Sequence, residues 1–350
     1  MPGRRTPSRA QSVVDRKRAM TMSNFLEAQL MAGIERFWGG DRITVLAYHR
    51  ISQPENFRFF EPVISATPEG FARQMDIVAT RFNPISVHDL TAWLDGRFDL
   101  PKRPILITFD DGYKDNMSNA LPVLCEREIP ALLFLSTDFI GTGKPFFWDA
   151  AAFYFRRTEL RRADLPILGP VSWTEPATIS AEWIEALKRT TSVGRDEATE
   201  QLAAALNVPV LRDAYAGETL SWDEVREMGK QGFSFGSHTL SHPILTQLSE
   251  AEAAAELQKS RQRLMDELGE PVRTIAYPNG TRADFNPTVE RLTKAAGYSA
   301  AFTLVPGPAR PREVRANPMT IRRISLYLDD GERRFRAKLA GAGRIKSSLS

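Results

Sequence analysis

The sequence predicts an α/β fold closed, or nearly closed, into a barrel, and three observations carry that expectation. Short apolar runs recur along the chain, helical patterns with clear start signals lie between them, and polar residues suited to chemistry fall directly after the runs. The runs are ITVLAY (43–48), PILITF (104–109), ALLFLS (131–136), GFSFGS (232–237), RTIAY (273–277), SAAFT (299–303) and IRRISL (321–326). Most are too continuously apolar for a strand with one wet face, so they read as parallel strands buried on both sides. Their alternation with helices gives the α/β class. Seven strands favour a barrel over an open sheet, although periodicity alone leaves closure open.

The helix starts are written in cap residues. Thr67 and Asn286 each precede a proline, at Pro68 and Pro287, which suits the first helical position. Ser221 with Glu224, and Ser249 with Glu252, have the spacing of capping boxes. Residues 139–220 break the strand–helix rhythm: helical stretches such as WDAAAFYFRR and ISAEWIEALKRTT are joined by segments containing Pro and Gly. This segment reads as a largely helical insertion after the third strand. The expected organisation is a basic N-terminal tail with an amphipathic stretch (FLEAQLMAGIERFW) over 1–40, a barrel over 41–330, and a basic C-terminal tail over 331–350.

Composition is that of an ordinary soluble globular protein, with 42% hydrophobic and 25% charged residues. A net charge of +3 is too small to argue for nucleic acid. Basic residues gather at both ends, where solvated tails compete with weak contact to an anionic membrane or polymer surface. The single cysteine, Cys125, rules out an internal disulfide and fits a reducing compartment, with core packing on an amphipathic helix as its expected role. No stretch is long and apolar enough to span a bilayer, and no hydrophobic segment before residue 40 has the form of a secretory signal. The expected compartment is the cytoplasm, with peripheral membrane contact as the alternative. Oligomeric state has no sequence signal.

Chemistry gathers at the carboxyl ends of strands in α/β barrels. Just past the runs stand His49, then Asp110 and Asp111, then Thr137 and Asp138, then Ser237, His238 and His242, then Tyr277 and Asn279. Three of the four histidines are in that set. His238 and His242 are four residues apart, on one helical face or around one turn. Two imidazoles and a carboxylate make a three-ligand metal site with open positions. A cation would also relieve the repulsion between adjacent Asp110 and Asp111, one carboxylate binding it and the other handling a proton. Gly112 would let the backbone turn so that both face one cavity. The competing readings are a packed histidine pair and an ordinary polar turn.

Three segments in order, TFDDG (108–112), SHTLSHP (237–243) and AYPNG (276–280), resemble the first three motifs of the polysaccharide deacetylases, carbohydrate esterase family 4 or the NodB homology domain. The resemblance extends more loosely over 43–328, the insertion apart. It implies a distorted (β/α)7 barrel and removal of N-acetyl groups from amino-sugar polysaccharides or oligosaccharides, exopolysaccharides among them. It makes Asp110 the general base and gives Asp111, His238 and His242 a divalent metal, zinc first with cobalt or nickel as alternatives. It also places an oxyanion donor at the backbone amide of Asn279. Two departures stand out. Ala276 occupies the place of the family's base-orienting arginine, for which Arg50 and Arg323 are candidates by location. The last motif, RRISLYL, lacks the family's acid histidine. His49 is the expected substitute, since the first and last strands of a closed barrel are neighbours; His88 is expected to be a surface or capping residue.

The implied reaction has Asp110 take a proton from metal-bound water and an acid protonate the departing amine. The insertion offers aromatic rings, most of them expected to pack internally, with Phe147 and Trp148 as candidates for a saccharide platform. The alternatives are a deformylase or esterase on the same scaffold, and a catalytically inactive carbohydrate-binding barrel.

Overall fold

The computed structural model describes residues 42–341 apart from 56, 189, 191 and 212. Each of the seven apolar runs supplies one strand: β1 (Thr44–Tyr48), β2 (Pro104–Asp111), β3 (Ala131–Leu135), β4 (Phe233–Ser237), β5 (Thr274–Ala276), β6 (Ala300–Pro306) and β7 (Ile321–Ser325). All neighbours pair in parallel, in chain order. The ring closes where β1 meets β7, with Leu46 opposite Ile324 and Ala47 opposite Ser325. It is a closed seven-stranded barrel. The ring is uneven: β4 and β5 share one register pair, Ser237 with Ile275, and the β6–β7 register shifts between Phe302 and Pro306.

Strand alternation builds two cores from these runs. Leu106, Leu132, Phe134, Ala276, Phe302 and Ile321 form one buried cluster in the barrel interior, with Val45. Ile105, Ile107, Phe109, Leu133, Leu135, Ile275 and Ile324 lie in a second, packed against the surrounding helices. Those helices are α1 (Pro68–Arg81), α2 (Val87–Leu94), α3 (Leu121–Glu126), α7 (Trp222–Gly229), α8 (Glu250–Leu268), α9 (Pro287–Ala295), α10 (Pro311–Ala316) and α11 (Glu332–Leu339); the insertion adds α4 (Phe147–Arg157), α5 (Pro176–Leu187) and α6 (Ser192–Ala205). The expected starts all hold. Thr67 and Asn286 cap α1 and α9 through their side chains, and Ser221/Glu224 and Ser249/Glu252 close capping boxes on α7 and α8. Val87, Leu90 and Trp93 of α2 join the interior cluster beside Ile43, stopping the amino-terminal end of the barrel.

The insertion has a hydrophobic core of its own, which includes Phe146, Tyr154, Trp173, Trp183 and Leu202. It is less purely helical than expected. Arg162–Leu165 pairs antiparallel with Gly169–Ser172, because Ile167 and Gly169 both take left-handed φ values, 74° and 73°, and reverse the chain. The C-terminal tail also departs from expectation. Residues 332–339 form α11, and Phe335 and Leu339 are buried in the outer core, so the basic face of this segment hides an apolar one. Cys125 is exposed, since α3 turns Leu121 and Leu124 inward instead. The amphipathic FLEAQLMAGIERFW stretch, the rest of residues 1–41, and residues 342–350 lie outside the described residues.

One glycine shows how tightly the interior is filled. A Cβ on Gly236 of β4 would lie 2.6 Å from Phe134 Cδ1 and 2.8 Å from Thr274 Oγ1. Gly236→Ala is therefore expected to destabilise the barrel by about 1–3 kcal/mol, the usual cost of overpacking. Denaturant unfolding checks it, and an unchanged midpoint would show that the interior has slack.

Candidate active site

Asp110 continues the inward row of β2 after Leu106 and Thr108 and is fully buried. Simple alternation would send Asp111 outward. Instead Asp111 takes φ 76° and Gly112 φ 96°, so the strand ends in a left-handed turn that brings the second carboxylate to the same cavity. The turn thus begins one residue before the glycine from which it was expected. Gly112 is needed as well, because a Cβ there would sit 2.5 Å from Ile140 Cδ1 and 2.9 Å from Leu135 Cδ2.

Asp111, His238 and His242 offer ligand atoms within 4.8 Å of one another. Asp111 Oδ1 lies 3.7 Å from His238 Nε2 and 3.5 Å from His242 Nε2. His238 Nδ1 donates to the Ala276 carbonyl at 2.8 Å, which leaves Nε2 as the free lone pair facing Asp111. Burial pushes the His238 imidazole down to about 4 and His242 well below its ordinary value, so both are neutral at pH 7. Burial also pushes the Asp111 carboxyl well up, and the charges of Asp110 and Asp149 push it further. Asp111 Oδ1 is buried without a hydrogen-bond partner. A buried carboxylate oxygen facing two neutral imidazoles and no donor fits a divalent cation, and the donor set is that of a catalytic zinc site.

The SHTLSHP segment is a turn, not a helix, with Thr239 and His242 at φ 68° and 57°. Two side chains that the sequence reading missed hold it. Glu256 of α8 accepts from the backbone N–H groups of Leu240 and Ser241, each at 2.9 Å, and from the Ser241 hydroxyl at 2.7 Å. On the other side Arg195 of α6 donates to the carbonyls of Ser241 and His242, at 3.1 and 2.8 Å. The available signal for Glu256 was a carboxylate on the buried stripe of α8, beside Ala253, Leu257, Ser260 and Leu264.

Of the two arginine candidates, Arg323 reaches Asp110. Its Nη1 and Nη2 bond Oδ1 and Oδ2 at 2.7 and 2.8 Å, in a fork that neither residue exposes to solvent. Burial works to raise the Asp110 pKa, but the Arg323 guanidinium, with His238 and His49, outweighs it and holds the carboxyl at about 2. Arg50 does not reach Asp110. It follows β1 into a separate short pairing with Ile64–Ala66, and bonds Asp115 at 3.1 Å and Glu218 at 2.9 Å, with its guanidinium over the Tyr113 ring. His49 Nε2 lies 3.9 Å from Asp110 Oδ2, with a quarter of its side chain exposed. His88 is exposed on α2, at the opposite end of the barrel.

A cavity of about 140 Å³ joins His49, Asp110, Asp111, His238, His242 and Asn279. Tyr277 is absent from it: Ala276 takes the inward position, so Tyr277 points out and stacks on Phe285 at 5.5 Å. Phe147 and Trp148 do line the cavity, as buried wall and not as an exposed platform. The Trp148 ring stands 4.9 Å from the His242 ring and its Nε1 donates to Tyr113 Oη at 2.8 Å.

Residues 98–301, more than half of the chain, match the sequence profile of the polysaccharide deacetylases. The chain belongs to that family. No curated protein matches it. Among solved structures, the Streptococcus pyogenes deacetylase PplD in complex with acetate is similar, at 18% identity and a TM-score of 0.57, over 85% of this chain and 98% of that one. IcaB from Ammonifex degensii is similar at 21% identity and TM-score 0.56, over 86% and 97% of the two chains. The de-N-acetylase of Aggregatibacter actinomycetemcomitans matches at 16% identity and TM-score 0.55, over 85% and 100%. At such identities the likeness is one of fold.

The Asp110–Arg323 pair sets a stability expectation. Arg323→Met would strand a buried carboxylate, at a cost of about 3–5 kcal/mol at pH 7. Because the folded-state pKa of Asp110 is depressed, the stability it contributes is complete above the ordinary carboxylate range. That stability is lost as pH falls through about 2. Denaturant unfolding at pH 7 measures the penalty; a change under about 1 kcal/mol would mean that the pair is not buried as described.

Proposed function

We propose that this chain is a divalent-metal-dependent hydrolase that removes N-acetyl groups from an amino-sugar polysaccharide or oligosaccharide. The observation that carries the reading is the pair of adjacent carboxylates with opposite partners. Asp110 is clamped by Arg323, while Asp111 faces His238 and His242 with an unpartnered oxygen. Asp111, His238 and His242 would hold the ion, zinc first among candidates. When bound, it would supply Lewis-acid polarisation of the acetamido carbonyl and a lowered pKa for water.

The chain's own residues do the rest. Asp110, kept ionised and fixed in orientation by Arg323, accepts a proton from the attacking water. His49 is neutral at rest, its pKa lowered by burial against the pull of Asp110, and sits 3.9 Å from that carboxylate. It takes up this proton and delivers it to the nitrogen as the C–N bond breaks, leaving acetate and a free amine. Asn279, in a left-handed turn at φ 62°, lines the side of the cavity where its backbone amide would meet the oxyanion. Trp148 and Phe147 exclude water from the His242 side.

The direct test incubates metal-loaded protein with a panel of N-acetylated oligosaccharides and measures amine and acetate. Formate or alcohol release would mark a deformylase or an esterase, and saccharide binding without turnover an inactive barrel. The compartment we propose is the cytoplasm, with contact to an anionic membrane surface through the basic ends; cell fractionation checks it.

Two further outcomes are expected. Asp110→Asn should keep the metal and lose roughly 10²-fold or more in turnover, and His49→Ala should slow amide cleavage far more than cleavage of an activated ester, whose leaving group needs no proton. Full amide activity in either variant removes its assigned role. Metal titration gives the second: His242→Ala loses the ion, and Glu256→Gln weakens its affinity about 10–100-fold by loosening the ligand turn. Equal affinity in all three proteins would place the ion elsewhere.

A further inference from the structure

The charges of the cavity do not balance for a neutral sugar. We propose that the substrate is an N-acetylated sugar carrying a negatively charged group, a carboxylate or a phosphate, within reach of the insertion wall of this cavity. The proposal rests on the deacetylase reading for the bond cleaved, but not for the charge recognised. Besides the histidines, the acidic and basic side chains lining the cavity are Asp110, Asp111, Lys188 and Arg195. Both carboxylates are already matched, Asp110 by Arg323 and Asp111 by the cation for which its donor set is built. Neither cation is matched in the same way.

Arg195 is only 4% exposed, and it makes no ion pair among the described residues. Its two bonds to the Ser241 and His242 carbonyls satisfy N–H donors but leave the net charge in place. Glu256 and Asp196 act on it through space, yet neither closes to ion-pair distance, and Glu256 is committed to the N–H groups of Leu240 and Ser241. A buried guanidinium is costly unless an anion compensates it. Lys188, at the C-cap of α5, has its side chain 28% exposed and meets Glu185 at 2.5 Å; Glu185 is 68% exposed, so that pair is largely screened by solvent. Both cations come from the insertion, and they share the cavity with the metal ligands. The cavity would therefore present incompletely compensated positive charge on one wall, beside the position where an acetamido group must sit. A neutral amino sugar gains nothing from it, whereas an anionic substituent would be steered and held by it.

Three matched substrates test this on the metal-loaded protein: an N-acetylglucosamine oligomer, the same oligomer bearing a uronic acid carboxylate, and one bearing a phosphate. At low salt, kcat/KM for at least one charged oligomer should exceed the neutral one by about 10-fold, and the preference should shrink as ionic strength passes about 0.1 M. The two charged arms decide between carboxylate and phosphate. Lys188→Glu should lower the charged-to-neutral ratio by about 10-fold. Arg195→Gln should lower it too, with metal content measured alongside because Arg195 also holds the ligand turn. Calorimetric binding of the same three ligands to Asp110→Asn reads the preference without turnover. Equal binding of charged and neutral oligomers, or a ratio unmoved by Lys188→Glu, overturns the proposal. Preferential binding of a charged oligomer with no amine released from any of them would instead sustain it and remove the deacetylase reading.

Discussion

The buried fork between Asp110 and Arg323 is the constraint on which the rest of the site depends. It joins the end of β2 to β7 through the barrel interior, with both side chains fully buried. Neither could be buried alone, since an unpaired charge in such surroundings is far more costly than the pair. The fork also fixes geometry. A bidentate guanidinium allows the carboxylate one plane and one direction, and Thr108 and the Thr303 carbonyl hold the guanidinium in turn. The barrel must therefore close for the site to exist, because β2 and β7 come near one another only when β1 pairs with both.

The fork explains why two adjacent aspartates can be tolerated. Their environments pull them apart: the guanidinium holds Asp110 low, while burial and the Asp110 charge push Asp111 up. The neighbour left without a cation is the one that faces two neutral imidazoles. The left-handed turn at Asp111 is the backbone cost of this division, and the turns at Thr239, His242 and Asn279 are of the same kind. Asp111, His242 and Asn279 line the cavity itself, so part of the backbone strain falls where side chains are committed to the site.

All seven strands, the helix caps and the gathering of Asp110, Asp111, His238 and His242 past strand ends were legible in the sequence, because each depends on local pattern: period, cap spacing and the residues just past a strand. The choice of Asp111 over Asp110 as the metal ligand came only from the family resemblance. What could not be read depends on contacts between distant segments. Arg50 and Arg323 were equal candidates by location, and only barrel closure separates them; β7 faces the interior while the chain after β1 leaves it. Tyr277 was misplaced by one step of alternation, the smallest error a strand allows and the one that moves a side chain through the wall. The roles of Glu256 and Arg195 could not be read, since they act on backbone atoms 15 and 46 residues away, which no motif records; only the place of Glu256 on the buried stripe of α8 hinted at one. Phe335 was hidden in a segment whose basic charge reads as solvated tail.

The insertion is tied to the chemistry at three points, which argues against treating it as an appendage. Arg195 holds the carbonyls of the ligand turn, Trp148 stands against His242, and Asp149, the next residue, is fully buried and accepts from Tyr215 at 2.6 Å and Tyr113 at 3.3 Å. Tyr113 follows directly on the Asp-Asp-Gly turn of β2, and its hydroxyl receives the Trp148 indole N–H. Asp149 Oδ2 also lies 3.7 Å from the Arg50 guanidinium, which stacks on Tyr113. The turn that presents Asp111 and the wall that shields His242 therefore share one hydrogen-bonded network, with Arg50 at its base. Arg50, first considered for the place beside Asp110 that Arg323 takes, acts one layer out: it sets the loop after β2 against the insertion. Both sides of the candidate ligand set, Asp111 and His242, are thus braced by residues outside the barrel wall.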